Sequence, residues 1–427
     1  MHLKEELEQR NLLYQFTDEK LFELLNRGGQ KFYIGYDPSA DSLQIGNMFS
    51  VMAAIHLMRY GNTCYFLVGG ATGMIGDPSG KNEERNFLSE EQLRHNEQCI
   101  YHQLTTFLEN IRKTYDISFS YEMVDNYDFY KDMNYLRFLG EVGKYITVNT
   151  MIAKESVKKR IEDPDKSITY AEFSYMLIQG YDFVHLFDTH GVNIQLGGSD
   201  QWGNVTTGME IIRKKYDKEA FCLTIPLVTD ASGKKYGKSE GNAVWVDQKK
   251  NSPYFVYQFF MNSEDFLVEK LLKVFSLKSL EEIDEIVKKH MEHPELRYGQ
   301  RELASRVVEV LFWKEAVVQA QKITEILFGS EDKLKIIAEM NEEEKQALAQ
   351  ETGSVNLPGE EARILELAVE SGLAPSNGEA KKLIQSGSLF FNEQKVEEGN
   401  LTIKKSDLIN GVWLLRKGKK FYRTLLC

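Results

Sequence analysis

Between Lys31 and Val68 the chain alternates a short apolar run, a long apolar run and a second short apolar run, and no other stretch constrains the fold so tightly. Lys31–Tyr36 reads as a buried strand. Ser42 offers an N-cap for a helix running to about Tyr60, where Gly61-Asn62 stops it. Thr63–Val68 reads as a second buried strand, followed by the turn Gly69-Gly70-Ala71-Thr72-Gly73-Met74-Ile75-Gly76-Asp77. Two strands joined through a helix run parallel, because an antiparallel pair needs only a tight turn. The expected fold class is therefore α/β, built on a Rossmann-like parallel sheet.

The rest of the chain divides by composition. Residues 1–30 carry leucines and phenylalanines at near-helical spacing. Residues 88–215 read as mostly helical, with short strands at Phe119–Val124 and Val192–Leu196. Thr224–Thr229 is a further short strand. From Ser252 to about Phe328 the pattern is nearly all amphipathic helix. The acidic, polar stretch 329–358 has the composition of a linker. The expected division is 1–245, with a helical insertion at about 88–160; a helical domain at 246–328; the linker at 329–358; and a small α+β domain at 359–427.

Charge separates the tail from the body. The whole chain carries −12, yet Ser371–Cys427 carries +5 and the preceding 370 residues −17. A folded basic module on an acidic body implies a polyanionic partner met by the tail. The four cysteines, Cys64, Cys99, Cys222 and Cys427, form no CxxC pair and no Cys/His cluster of zinc spacing, so no zinc and a reducing, cytoplasmic setting are expected. The N-terminus resembles neither a signal nor a transit peptide, and no apolar run approaches the roughly twenty residues of a membrane span, so no membrane partner is expected.

Two segments carry the chemistry. The first is Tyr33-Ile34-Gly35-Tyr36-Asp37-Pro38-Ser39-Ala40-Asp41-Ser42-Leu43-Gln44-Ile45-Gly46-Asn47, a strand that turns into a helix. Free amides at a helix N-terminus attract anions. The second is Lys234-Lys235-Tyr236-Gly237-Lys238-Ser239, a basic loop with a glycine hinge. Together they suit a triphosphate held between a helix end and a basic flap. A dinucleotide site is excluded, since no GxGxxG is present, and the stretch ending Gly80-Lys81 fails as a P-loop at Ile75 and Asn82. Tyr175, Gln179 and Asp182 fall on one face of a helix otherwise rich in apolar residues. Their polarity there points to a ligand or to a buried network.

These two segments resemble the signature motifs of class I aminoacyl-tRNA synthetases. Gly69–Lys81, Phe173–Asp182, Gly197–Asn204 and Leu223–Val228 narrow the resemblance to the bacterial-type tyrosyl enzymes, over nearly the whole chain. The resemblance implies a ligase that joins L-tyrosine to tRNA(Tyr) with ATP, the Mg2+ arriving with ATP. It implies a tyrosine pocket of Tyr33, Asp77, Tyr175, Gln179, Asp182 and Gln201. Tyr33 and Asp182 would grip the phenol, and Asp77, Tyr175 and Gln179 the α-amino group. Gly35, Asp37, Ser39, Gly46, Gly198 and Asp200 would hold ATP. Gln44, Asn47, Lys81, Arg85, Lys235, Lys238 and Ser239 would act on the phosphates. Arg213 and Lys214 would meet the acceptor stem. The tail segment around Lys381 and Lys382 resembles an S4-type RNA-binding fold, and the 246–328 helices would hold the anticodon arm. The family also implies a homodimer, with the 88–160 insertion at its interface.

The chain departs from the family at its first motif. That motif normally begins with His and often ends with it, where this chain has Gln44 and Asn47. An amide donates a hydrogen bond but cannot become cationic. The departure leaves room for a weakened paralogue that mainly binds RNA, or for a tyrosine-activating enzyme with another acceptor. Tyr33, Asp77, Tyr175, Gln179, Asp182, Asp200, Lys235 and Lys238 all match the working enzyme.

Overall fold

The computed structural model describes residues 2–77, 88–163, 167–229, 236–239, 242–329, 332–356, 360–418 and 421–426. The chain forms two compact units, one of residues 1–252 and 259–311, the other of residues 253–258 and 312–427. Among the described residues no helix is long and apolar enough to cross a membrane.

The first unit is built on a six-stranded sheet of β1 (Gln15–Phe16), β2 (Lys31–Tyr36), β3 (Thr63–Val68), β4 (Ser120–Asp125), β5 (Ile194–Gly198) and β6 (Phe221–Ile225). Its order is β1-β6-β5-β2-β3-β4. All neighbours are parallel except β1, which pairs antiparallel with β6. β2 and β3 occupy the residues their apolar runs predict. The chain leaves β2 toward β3 on one side and returns to β5 on the other, so the carboxyl ends of β2 and β5 flank a switch point, where α/β sheets open a ligand crevice.

The N-terminal thirty residues are not one helix. Helix α1 (Leu3–Gln9) stops at Arg10, and Asn11 turns left-handed at φ 57°. β1 then joins the sheet before a second short helix, Lys20–Arg27. The buried carboxylate of Glu6 takes hydrogen bonds from Arg10, His56 and Tyr60 at 3.1, 3.0 and 2.9 Å. Burial raises the Glu6 pKa, but these partners outweigh it and hold the carboxyl at about 2. Arg10 also donates to the carbonyls of Lys273, Ser276 and Lys278 at 3.0, 3.0 and 2.7 Å.

Helix α2 (Ile45–Arg59) is capped by Gln44 rather than Ser42. Helix α3 (Glu90–Tyr115) leads to β4. Helices α4 (Tyr170–His190) and α5 (Trp202–Tyr216) flank β5. They cross at two glycines. A Cβ on Gly208 would lie 2.8 Å from Phe183 Cβ and 3.0 Å from the Gly180 carbonyl. Only bare backbone lets α4 approach α5 so closely.

The helical stretch 246–328, expected as a domain of its own, divides between the units. α6 (Asp265–Phe275), α7 (Leu280–Glu292) and α8 (Tyr298–Phe312) belong almost wholly to the sheet unit, where Phe275 packs edge-on against Phe49 of α2 at 4.8 Å. α9 (Lys314–Phe328) belongs to the second unit. The stretch 329–358, expected as a linker, contains α10 (Lys333–Ala338), α11 (Glu342–Thr352) and β9 (Ser354–Asn356). Ile337, Met340 and Leu348 bury themselves against Val412, Leu414 and Tyr422. The acidic residues that read as linker begin α11, where Asn341 caps the helix and Glu342, Glu343 and Glu344 suit its N-terminal dipole.

The rest of the second unit is α+β. β10 (Glu361–Arg363) precedes α12 (Ile364–Glu370) and α13 (Asn377–Gln385). β11 (Leu389–Phe391) and β12 (Gln394–Lys395) form a hairpin. β13 (Thr402–Lys404) pairs with β10, and β14 (Val412–Lys417) and β15 (Phe421–Leu426) complete a sheet of order β12-β11-β14-β15-β9. Trp413 and Leu415 of β14 fill the core against α12 and α13.

Candidate active site

The first sequence motif is joined by backbone hydrogen bonds to the residues just beyond the second. The Ile45 amide donates to the Val244 carbonyl at 2.8 Å, and the Val246 amide to the Leu43 carbonyl at 3.0 Å. Ser42 Oγ accepts from the Asp247 amide at 3.2 Å, which is why this hydroxyl does not cap α2. Upstream, Gly237 has φ 77°, and a Cβ there would strike Ile45 Cγ2 at 2.4 Å. The glycine of the basic motif therefore seats on the first turn of α2. Its neighbours β7 (Lys238–Ser239) and β8 (Asn242–Ala243) form a small antiparallel hairpin.

Helix α3 straps the first motif from outside. Asn96 Nδ2 donates to the Pro38 carbonyl at 3.0 Å. Gln103 accepts from the Leu43 amide at 2.9 Å and donates to the Asp41 carbonyl at 3.2 Å. At the start of α2, Asn47 Oδ1 accepts from the Gln44 amide at 2.9 Å. Gly46 is exposed there, and a Cβ would meet only the Tyr236 carbonyl, at 3.7 Å.

A cavity of about 360 Å³ opens at the carboxyl ends of β2 and β5. It is lined by every residue expected in the tyrosine pocket, Tyr33, Asp77, Tyr175, Gln179, Asp182 and Gln201, and by Gly35, Asp37, Ser39, Gln44, Gly46, Asn47, Gly198 and Asp200. Among the described residues no histidine, cysteine or methionine lines it.

At the buried end, Asp182 is 1% exposed. Burial drives its carboxyl up to about 8, hydrogen bonds from Asn126 and Tyr130 pull it back, and the charges of Asp37 and Asp125 push it further up. Asn126 Nδ2 lies 3.0 Å from Asp182 Oδ2, and Tyr130 Oη 2.9 Å from Oδ1. Tyr33 is as deeply buried, and burial with the nearby Asp182 charge raises its phenol far above normal. Tyr33 Oη, Gln179 Oε1 and Gln195 Oε1 are buried without a hydrogen-bond partner among the described residues.

Asp37 and Asp77 organise the middle. Tyr175 donates to Asp37 Oδ2 at 2.8 Å. Thr72 Oγ1 donates to Asp37 Oδ1 at 2.7 Å and accepts from Asn126 Nδ2 at 3.0 Å. Asp77 accepts from Gln201 at 2.6 Å and from Asn204 at 3.4 Å. A continuous network thus runs from Asp182 through Asn126 and Thr72 to Asp37 and Tyr175.

Asn126, Tyr130, Thr72, Asn204 and Gln195 were not foreseen as site residues. Asn126 directly follows β4 at the carboxyl edge of the sheet, a position that marks ligand sites in this fold class. Thr72 and Asn204 sit inside blocks already singled out. Tyr130 closes a four-residue helix, Tyr127–Tyr130, and carries no local signal.

Lys81, Arg85 and Lys235 fall outside the described residues. Of Lys238 and Ser239 only the backbone, in β7, is described. Arg213 and Lys214 are exposed in the last turn of α5, where Lys214 pairs with Glu210 at 2.7 Å and donates to the Tyr145 carbonyl at 2.7 Å. Lys381 and Lys382 are exposed on α13 of the second unit, and Lys382 pairs with Glu379 at 2.6 Å.

Comparison with known proteins bears on both units. Residues 26–329 match the family described as tRNA synthetases class I (W and Y), and residues 343–425 match the tyrosine--tRNA ligase SYY-like C-terminal domain. The tyrosine--tRNA ligases of Streptococcus suis and Streptococcus gordonii are each 42% identical, over 100% of both chains. Among solved structures, a C-terminally truncated mitochondrial tyrosyl-tRNA synthetase from Aspergillus nidulans superposes with a TM-score of 0.70 at 27% identity, covering 77% of this chain and 94% of its own. The Archaeoglobus fulgidus tyrosyl-tRNA synthetase complexed with L-tyrosine shares the fold, with a TM-score of 0.54 at 19% identity, covering 74% of this chain and 99% of its own.

Proposed function

Because the chain belongs to the tyrosine--tRNA ligase family of class I tRNA synthetases, we propose that the cavity at the ends of β2 and β5 is where it activates L-tyrosine with ATP. The enzyme is an ATP-dependent aminoacyl-tRNA ligase. One observation carries the assignment of the site. A buried polar pair, Tyr33 and Asp182, closes one end of a cavity whose other end is the N-terminus of a fifteen-residue helix.

The phenol of tyrosine lies at the buried end, between Tyr33 and Asp182. Phenylalanine would leave the Tyr33 hydroxyl without a partner there and offer Asp182 nothing, a cost its binding cannot recover. Tyr175, Gln179, Asp77 and Gln201 face the amino acid's charged end. The orphaned Gln179 Oε1 and Tyr33 Oη support this reading, since buried polar groups ordinarily find partners. ATP lies across Gly46, where the open backbone admits a nucleoside, with Gly35, Ser39, Gly198 and Asp200 around it. Asp37, Asp77 and Asp200 make the cavity acidic, so a triphosphate enters it with its charge reduced by Mg2+ and by lysines. Lys81, Arg85, Lys235, Lys238 and Ser239 supply that charge around the phosphates.

The tyrosine carboxylate attacks the α-phosphorus, pyrophosphate leaves, and the adenylate remains until a terminal ribose hydroxyl of tRNA takes the tyrosyl group. No protein nucleophile is required, and both steps rest on positioning and charge stabilisation. Gln44 and Asn47 act as neutral donors at the phosphate end.

Arg213 and Lys214 meet the acceptor stem. The helices after residue 246 and the basic tail with Lys381 and Lys382 hold the arms of tRNA(Tyr). The exposed Tyr135, Leu136, Val148, Ile152 and Tyr170 lie in or beside the helical insertion, with the Tyr135 and Tyr170 hydroxyls 2.8 Å apart. This apolar patch suits a second copy of the chain, and we assign a homodimer. The unpaired Cys64, Cys99 and Cys222 suit a reducing, cytoplasmic setting.

The test is ATP–pyrophosphate exchange with tyrosine and with phenylalanine, alongside a Gln44→His variant. Exchange with tyrosine alone is expected, and a faster histidine variant would measure the cost of Gln44. Absence of exchange in both proteins would overturn the assignment.

A further inference from the structure

Asp182 is held more firmly than a simple acceptor for a phenol requires. Tyr130 Oη lies 2.9 Å from Asp182 Oδ1 and 2.5 Å from the Ile178 carbonyl oxygen. A hydroxyl carries one proton, and a carbonyl can only accept. If Tyr130 donates to Ile178, Asp182 Oδ1 must supply the proton between itself and Tyr130. If Tyr130 donates to Asp182, Oδ1 receives it. Either way Oδ1 is engaged, while Asn126 engages Oδ2 at 3.0 Å. The carboxyl is thus pinned through both oxygens.

The Tyr130 ring has little freedom to release Oδ1. It packs edge-on against Tyr181 at 5.4 Å and lies 6.5 Å from Phe138. Tyr181 and Ile178 flank Asp182 on α4, so Tyr130 and the residue it restrains are fixed to one rigid element.

We propose that Tyr130 is a positioning residue that sets the specificity of the amino-acid pocket: it keeps Asp182 Oδ1 occupied, so the carboxyl serves one hydroxyl and rejects a ring bearing a second hydroxyl beside it. The proposal rests on the reading of this cavity as the tyrosine pocket. Removing the Tyr130 hydroxyl takes away the partner of Oδ1. A catechol can then pair both hydroxyls with the two carboxyl oxygens. Tyrosine, with one hydroxyl, gains nothing and meets a looser carboxyl.

The experiment uses the full chain in ATP–pyrophosphate exchange with L-tyrosine, 3-hydroxy-L-tyrosine and 3-fluoro-L-tyrosine. Wild type is compared with Tyr130→Phe and Asp182→Asn. For Tyr130→Phe the KM for tyrosine is expected to rise about three- to tenfold with kcat nearly unchanged, the mark of lost ground-state positioning. The ratio of kcat/KM for 3-hydroxytyrosine to that for tyrosine is expected to rise about fivefold or more. General damage to the pocket would not raise that ratio. An unchanged or lower ratio, with Asp182→Asn raising the tyrosine KM, would overturn the role of Tyr130 and leave the pocket standing. An unchanged tyrosine KM in Asp182→Asn would overturn the pocket itself. Wild type supplies a measurement that does not depend on a variant folding: it is expected to prefer 3-fluorotyrosine, which adds bulk without a second hydroxyl. Equal use of the two analogues would overturn the proposal.

Discussion

Replacing Asp182 by asparagine should stabilise the protein, and by an amount that grows with pH. The folded environment lifts this carboxyl from 3.8 to about 8, chiefly through burial, with Asp37 and Asp125 adding repulsion. Between about pH 4 and pH 8 the folded chain keeps a proton on Asp182 that the unfolded chain has released. Stability therefore falls as pH rises through that window, and the loss is complete above the folded value. Asparagine keeps a carbonyl for Asn126 and does not titrate. Each pH unit in the window separates the two proteins by about 1.4 kcal/mol. From pH 6 to pH 9 only the two units below 8 count, so Asp182→Asn should gain about 2–3 kcal/mol on wild type. Urea unfolding of the sheet unit, followed by the fluorescence of Trp202 and Trp245, reads this difference at both pH values. The variant should meanwhile lose tyrosine-dependent exchange. A stability difference that stays constant from pH 6 to pH 9 would refute the reasoning, because it would mean that Asp182 is equally ionised in the folded chain at both.

Glu6 predicts the opposite dependence. Its carboxyl is held at about 2, so the stability it contributes is present above its ordinary value of 4.5 and is lost as pH falls toward 2. Glu6→Gln should cost about 2–3 kcal/mol at neutral pH through weakened bonds to Arg10, His56 and Tyr60, and unfolding curves should converge with wild type near the acid limit. Gly208→Ala should cost about 1–3 kcal/mol through overpacking. Because the added methyl pushes on Phe183 and the Gly180 carbonyl, it should also raise the KM for tyrosine more than that for ATP, which steady-state exchange measures.

Much of this architecture is legible from local signals. β2 and β3 stand where their apolar runs begin and end, because most of their residues are buried and little in them blurs the limits. The paired motifs are legible as well, since a helix start and a basic glycine loop are chemical features of short segments. What escapes is set by distant partners. Ser42 has the side chain of an N-cap, but Asp247, two hundred residues on, claims its hydroxyl, and Gln44 begins the helix. The hydrogen bond of Tyr175 to Asp37 is a contact between residues 138 positions apart, and no local pattern announces it. Tyr130 has no signal at all, because its role exists only once β4 and α4 stand side by side. The stretch 329–358 reads as linker because its acids dominate, although Ile337, Met340 and Leu348 bury a full side of it. The helices of α6 to α8 look like a separate domain until Arg10 and Phe49 are seen to bind them to the sheet.

Among the described residues the cavity wall carries no imidazole, thiol or thioether, and this bears on how the site meets chemical insult. Peroxide, alkylating agents and thiophilic metal ions attack those three groups first. Inside the cavity they encounter carboxylates, amides, hydroxyls and aromatic rings instead. Cys99, half-exposed on α3, stands outside the lining, and modification there leaves the reacting atoms untouched. Gln44, an amide rather than an imidazole, stands at the head of α2 and offers a histidine-directed reagent no target there.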